Sequence, residues 1–233
     1  MVKAVLNGEH EIILPRHRAE RPEWYTESGW EKARLQHMRS TTRMGDKVLY
    51  IGAEEGEMCA LLQMWGARVC LVEPNEAVWP NIRAIWEANQ LSDPSIIYVG
   101  FCGREDSANW IDGVADKPWP DCAYGPVIGD HGFKELRDPG ERPIVTVDAL
   151  ALLDFVPDMT TMDVEGAEWE VLQGAAHTVA EYRPRIYLSL HPEFLIDQYG
   201  KYSYEVRRWI IDQGYQETLL DYQHEAHFVY EPA

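Results

Sequence analysis

Two short stretches with the residue types of a nucleoside site follow the first two buried strands that the sequence predicts. The first stretch is a turn made of Gly52, Ala53, Glu54, Glu55 and Gly56. The second is Glu73, which closes the apolar run 68–73. Glycines let the backbone approach a ligand closely, and an acid about 20 residues later accepts the hydroxyls of a ribose. The pair predicts a nucleoside site, although a glycine turn alone is also typical of an ordinary strand–helix connection.

Charge distinguishes between two nucleoside cofactors for this site. A nicotinamide dinucleotide would place its pyrophosphate at the start of the first helix. Here that position carries Glu54, Glu55 and Glu57, which would repel a diphosphate, and the full G-x-G-x-x-G spacing is missing. S-adenosyl-L-methionine (SAM) has no phosphate and carries a cationic sulfonium and ammonium. The charge pattern therefore favours SAM.

A second group of ionisable residues follows two later predicted strands. Asp163 lies near the end of the run 159–164 and Glu165 directly follows it, and His191 follows the run 186–190. Ligands of parallel sheets bind outside the carboxyl ends of strands, so these side chains are expected to meet. An imidazole with an ordinary pKa of ~6.5 suits a general base, with Asp163 or Glu165 orienting it. The plainer alternatives are an acidic turn at a helix start and a structural, hydrogen-bonded histidine.

The same three side chains, Asp163, Glu165 and His191, are also of the type that binds a divalent metal such as Mg²⁺ or Mn²⁺. No cluster of ligands close together in the sequence supports a metal, so a metal-free site is favoured.

Strands alternate with helices from residue 45 onward, which predicts a doubly wound, mostly parallel α/β sheet. Runs 216–220 and 226–230 predict an antiparallel closing hairpin, so the C-terminal strand runs against the others. We expect one helix over 169–179 and Asp148 as the cap of another. Asn7-Gly8 between apolar runs predicts an N-terminal hairpin. The predicted organisation is therefore an N-terminal hairpin and helix over 1–44, packed on a domain spanning 45–233.

The segment 101–143 differs from the rest because it contains five prolines and six glycines. Long irregular stretches inside compact domains are commonly functional. With Trp110, Trp119 and His131, this segment is predicted to form part of an acceptor pocket or its lid. The alternative is a surface excursion without a role.

The net charge of −18 argues against nucleic acid and against anionic membrane surfaces as partners. No apolar run reaches the ~18 residues that a membrane span needs. The four cysteines are widely spaced, which predicts reduced thiols in a cytoplasmic protein.

Several motifs together resemble FkbM-type methyltransferases over about residues 45 to 230. The most specific is the block 162–168 (Met-Asp-Val-Glu-Gly-Ala-Glu) with its partner 171–175. The turn at 52–56, the stretches 73–75 and 146–148, the run from Pro184 to His191, and the terminal Glu225-Ala226-His227 also fit. The resemblance implies a Rossmann-like class I methyltransferase that uses SAM, commonly for O-methylation of a sugar or natural-product hydroxyl.

The resemblance also implies a role for each matching residue. The methionine end of the cofactor would lie against Gly52, Ala53, Glu54 and Gly56, and the ribose against Glu73. The adenine would lie between Pro74 and Asn75 on one side and Phe101 and Cys102 on the other. Asp163, Glu165 and His191 would face the reacting centre.

Three residues depart from the family pattern. Tyr50 stands where Asp is usual, Thr161 where Lys is common, and Ser189 where Glu often precedes the histidine. The leading expectation is O-methylation of a small-molecule acceptor. N-methylation of an amine or amide, a non-catalytic SAM-binding domain, and more distantly a nicotinamide oxidoreductase are the alternatives. Association of two copies of the chain into a homodimer is a further alternative.

Overall fold

The computed structural model describes residues 1–21, 29–127, 129, 142–222 and 225–233. Strands are β1 (Val2–Leu6), β2 (His10–Leu14), β3 (Lys47–Ile51), β4 (Arg68–Val72), β5 (Ile96–Tyr98), β6 (Phe101–Cys102), β7 (Ile144–Val145), β8 (Met159–Met162), β9 (Arg185–Leu190), β10 (Tyr215–Tyr222) and β11 (Ala226–Pro232). Helices are α1 (Arg16–Ala19), α2 (Lys32–Thr41), α3 (Glu57–Met64), α4 (Trp79–Ala88), α5 (Val147–Ala151), α6 (Glu168–Gln173), α7 (Ala176–Glu181), α8 (Pro192–Tyr199) and α9 (Ser203–Asp212).

The main sheet has seven strands in the order β10-β11-β9-β8-β3-β4-β5. The five strands from β9 to β5 are parallel, whereas β11 is antiparallel to both β9 and β10. This confirms the predicted doubly wound fold and its antiparallel C-terminal strand. Ile51 is level with Met162, and Met162 with Leu188. The residues that follow these positions therefore emerge at one edge of the sheet.

The sheet is buried on both faces, as expected for parallel strands between helices. On β3, Val48 and Tyr50 face a core shared with the N-terminal hairpin, α2, α3 and α4. Leu49 and Ile51 face the opposite core, which includes side chains of α5, α7 and α9. Of the helices in the described residues, none is long and apolar enough to cross a membrane.

The first 44 residues begin with the predicted hairpin, β1 paired antiparallel to β2. Asn7 and Gly8 both have positive φ angles (54° and 73°), as the tight hairpin turn requires. The hairpin packs on α3 and α4, and α2 contacts β10. The proposed boundary at residue 44 stays a prediction.

The single helix expected over 169–179 is wrong, because the chain forms α6 and α7 with a break at Gly174. A Cβ at Gly174 would lie 2.0 Å from the carbonyl oxygen of Gly103, so no larger residue fits. Asp148 was expected to cap α5, but Thr146 does so by accepting from the amide of Ala149. The Asp148 carboxylate instead accepts from the first amides of α7, at 3.0 and 2.7 Å.

Candidate active site

The turn after β3 lies directly against the turn after β8. Gly52 has φ +80°, and a Cβ there would lie 1.9 Å from the carbonyl oxygen of Asp163. Glycine is therefore required for this close approach. Glu54 and Glu165 both hold left-handed φ angles, 52° and 51°. Non-glycine residues in that region store strain, and such strain clusters at functional sites.

Glu73 lies where the sequence predicts it, at the end of β4 beside the glycine turn. Its Oε2 accepts from the amide of Glu54 at 3.1 Å and its Oε1 from the amide of Asn75 at 2.8 Å. Burial raises the pKa of Glu73 to about 7, although these hydrogen bonds act to lower it. Each oxygen has a second lone pair, so the carboxylate can also accept a diol.

The acidic residues of the glycine turn are paired with the N-terminal segment. Arg18 is fully buried; its Nη2 lies 3.0 Å from Glu54 Oε2 and also contacts Glu57. His17 Nε2 lies 2.7 Å from Glu55 Oε2. Neither His17 nor Arg18 could be predicted as a partner, because a basic residue in a polar stretch carries no local sign of burial. Because their charges are paired, these acids repel a phosphate less than the sequence alone predicts.

The structure brings Asp163, Glu165 and His191 together in front of β8 and β9. His191 Nε2 lies 3.4 Å from Asp163 Oδ1 and 3.6 Å from Glu165 Oε2. The ring stacks on Phe194 of α8, an element that the sequence reasoning did not predict. A Cβ at Gly166 would lie 2.5 Å from Phe194 Cβ, so α8 packs closely over the 163–166 turn.

Both ring nitrogens of His191 are held by buried carboxylates. Nδ1 lies 2.7 Å from Glu168 Oε1 and Nε2 lies 2.7 Å from Glu225 Oε2. Burial lowers the pKa of His191, but these hydrogen bonds and the charge of Asp163 outweigh it and raise the pKa to about 11. The ring is therefore an imidazolium at neutral pH, a donor rather than the base that an ordinary pKa would make it.

Asp163 has the opposite character. Burial raises its pKa to about 8, against the lowering effect of the nearby Arg34 guanidinium. A carboxylate in this range is a stronger base than an ordinary aspartate.

The donor atoms of Asp163, Glu165 and His191 lie within 4.8 Å of one another, a spacing that one cation could bridge. In the structure the Nε2 of His191 is paired with Glu225 instead.

Pro74 and Asn75, which are expected to lie beside adenine, directly follow Glu73, and a cavity of about 470 Å³ is lined by residues that include the next one, Glu76. Its lining also includes Val99. Phe101 and Cys102 pair with β7 in a separate two-stranded sheet, and Cys102 is buried in the core. Their predicted contact with adenine stays a prediction.

The predicted lid is only partly described. Trp119 packs edge-on against Trp86 of α4 and donates to Asp93 at 2.8 Å, so it anchors the segment. His131 lies outside the described residues.

Comparison with known proteins decides the family. Residues 50–217 match the model of the methyltransferase FkbM domain. The chain belongs to the FkbM methyltransferase family. No curated protein matches this sequence.

Solved structures share the methyltransferase fold. The FkbM methyltransferase of Methylobacillus flagellatus KT superposes with a TM-score of 0.56 at 17% identity, over 90% of this chain and 50% of that protein. This chain thus spans half the length of that relative. The precorrin-6y C5,15-methyltransferase of Geobacter metallireducens GS-15 gives a TM-score of 0.50 at 10% identity, over 95% and 94% of the two chains.

Several residues that contact this site lie outside the part of the chain that matches the FkbM domain. Arg18, Glu31 and Arg34 precede the matched range 50–217, and Glu225 follows it. Arg34 reaches the site from α2, and its contacts fall on two of the three positions that depart from the family pattern, Thr161 and Ser189.

Proposed function

We propose that this FkbM-family chain is a SAM-dependent O-methyltransferase acting on a hydroxyl of a small sugar-like or natural-product-like acceptor. The observation that carries the proposal is the contact between the Gly52 turn and Asp163. It sets the turn expected to hold the methionine end of the cofactor directly beside the Asp163, Glu165 and His191 cluster. Glu73, with free lone pairs at the end of β4, fits a ribose diol.

In this proposal the cluster aligns and deprotonates the acceptor. Bound SAM supplies an electrophilic methyl group on a sulfonium. The Asp163 carboxylate takes the hydroxyl proton as the oxygen attacks. The His191 imidazolium, whose two N–H groups are held by Glu168 and Glu225, lies beside Asp163 and favours its ionised form. Glu165, whose side chain is 72% exposed, lies where it can contact the acceptor. Alignment of nucleophile and methyl group provides most of the rate.

The proposal is tested first by isothermal titration with SAM, then by release of S-adenosylhomocysteine with separate panels of hydroxylated and amine acceptors. Turnover only with amines would favour N-methylation. SAM binding without turnover on either panel would favour a non-catalytic binding domain. Failure to bind SAM would overturn the proposal.

The roles of the cluster are tested with Asp163→Asn and His191→Ala at saturating SAM. Loss of a general base lowers turnover by ~10²–10⁴, which we expect for Asp163→Asn. His177→Ala is the matched control, since His177 is exposed on α7. Near-native turnover in both cluster variants would show that alignment alone accounts for catalysis.

Metal removal tests the favoured metal-free mechanism. Because His191 Nε2 is already paired with Glu225, we expect turnover to persist in EDTA and to be unchanged by Mn²⁺ or Mg²⁺. Activity lost in EDTA and restored by Mn²⁺ would instead assign Asp163, Glu165 and His191 as metal ligands.

We propose a small-molecule acceptor as the partner, and neither nucleic acid nor membrane, on the grounds of the net charge of −18. All four cysteines are free thiols, in keeping with the proposed cytoplasmic location. A homodimer is the remaining partner to test, by light scattering.

A further inference from the structure

Helix α2 inserts an arginine under the candidate active site. The Arg34 side chain is only 2% exposed. Its Nη2 donates to Thr161 Oγ1 on β8 at 2.7 Å, and its Nη1 donates to Ser189 Oγ on β9 at 3.1 Å. Glu31, at the start of the same helix, forms an ion pair with it. The guanidinium therefore spans two neighbouring strands of the sheet.

Both strand contacts lie two residues before a residue of the site. Thr161 of β8 lies two residues before Asp163, which directly follows that strand, and Ser189 of β9 lies two residues before His191, which directly follows β9. Arg34 Nη1 lies 3.8 Å from Asp163 Oδ2. The Asp163 carboxylate thus lies near two cationic side chains, since its Oδ1 is 3.4 Å from the Nε2 of His191.

The strand residues leave room for this arginine. Thr161 and Ser189 are short hydroxyl side chains, both buried, and each accepts one of the arginine donors. A longer side chain at either position would occupy the volume of the guanidinium. A charge this deeply buried is tolerated only when it is paired, and Glu31 supplies the pairing.

We propose that Arg34, held by Glu31, is the positioning residue that holds the Asp163 carboxylate in place beside His191. Helix α2 thereby completes the site from outside the matched FkbM domain. The inference rests on the proposed function for what Asp163 does during turnover.

The groups around Asp163 define what the experiment should show. Arg34 and His191 favour its ionised form, whereas Glu31, Glu225 and burial oppose it. Removing the arginine charge should therefore raise the pKa of Asp163. An opposite charge at this range typically shifts a carboxyl pKa by about 1–3 units.

The first experiment reads that ionisation directly in the full chain, without SAM or acceptor. Carboxyl ¹³C shifts of labelled aspartate are followed against pH, and Asp163→Asn identifies the signal. We expect Arg34→Met to raise the Asp163 midpoint by about one unit or more. Arg39→Met, an exposed arginine on the same helix, is the matched control and should not move it. An unchanged Asp163 midpoint in Arg34→Met would overturn the proposal.

The second experiment replaces the positive charge of Arg34 with that of a lysine introduced on strand β8. Because Thr161 Oγ1 is 2.7 Å from the guanidinium, a lysine at 161 brings its ammonium to the same place. The double variant Arg34→Met/Thr161→Lys should restore the native Asp163 midpoint. Thr161→Lys alone should lower the thermal midpoint, since two cations then share one space. If Arg34→Met alone does not fold, the double variant decides the test. The proposal is overturned if the double variant also stays unfolded, or if its Asp163 midpoint differs from that of the native chain.

The two proposals fail separately. If the native chain binds no SAM but Arg34→Met shifts the Asp163 midpoint, the proposed function falls and the positioning role stands. If SAM binds and Asp163→Asn abolishes turnover while Arg34→Met leaves both turnover and the midpoint native, the positioning role falls alone.

Discussion

At the scale of single residues, Glu73 has a raised pKa whose effect on stability can be measured against pH. Its folded-state pKa of about 7 lies above the ordinary glutamate value because the side chain is buried. The stability this contributes is present below the unfolded pKa and is lost as pH rises through 7, by roughly 3 kcal/mol for such a shift. Glu73→Gln should flatten this part of the pH dependence when urea unfolding is compared at pH 5 and pH 8.

A matched control separates Glu73 from the many other acids. Glu87 is 60% exposed on α4, and Glu87→Gln should keep the native pH dependence. Parallel profiles for Glu73→Gln and the native chain would contradict the raised pKa. If SAM is the ligand, Glu73→Gln should also weaken SAM binding about tenfold, because a charged acceptor is lost.

At the scale of elements, the short helix α1 holds the glycine turn through Arg18. Arg18→Met removes the cation that pairs with the buried Glu57 and with Glu54. Breaking a buried ion pair on one side typically costs about 3–5 kcal/mol. We therefore expect the free energy of unfolding to fall by that order in urea titrations.

The neighbouring Arg16 supplies the control, since its side chain is 71% exposed and pairs with Glu20 on the surface. Arg16→Met should change stability by less than about 1 kcal/mol. The double variant Arg18→Met/Glu57→Gln should recover part of the loss. Equal stabilities for Arg18→Met and Arg16→Met would show that the turn does not depend on this pairing.

The elements also show what the sequence could and could not predict. The parallel strands were predictable because each is a short apolar run that ends in turn residues, and their order along the chain places Asp163 and His191 at one edge. The break between α6 and α7 could not be predicted, because Ala175 and Val179 are both buried and continue the apolar stripe through Gly174. Its cause is a contact with Gly103, 71 residues earlier.

The same limit applies to the site. Asp163, Glu165 and Glu73 could be placed from the strand ends they follow. Arg18 and Arg34 could not, because the contact from Arg34 to Thr161 spans 127 residues and nothing beside either arginine in the sequence marks it as buried. The raised pKa of His191 also depends on Glu225, 34 residues later in the chain. No periodic pattern in the sequence around Glu225 indicates that it contacts His191.

At the scale of the whole molecule, the N-terminal 44 residues share the core of the sheet domain. Leu6, Leu14 and Leu35 are fully buried in the same cluster as Val48 and Leu62. Deleting residues 1–44 exposes that core and removes the cations that face Glu57 and Asp163. We expect the fragment 45–233 to lose cooperative unfolding, measured by tryptophan fluorescence in urea, and to bind no SAM.

Adding the 1–44 peptide in trans provides the control, because it should restore a cooperative transition if the loss comes from missing contacts rather than from damage to the fragment. The alternative outcome is equally clear. A fragment that unfolds cooperatively, with the urea dependence expected for its own size, is an autonomous domain. In that case the first 44 residues are an appendage, and the buried Arg18 and Arg34 tune the site without being needed to form it.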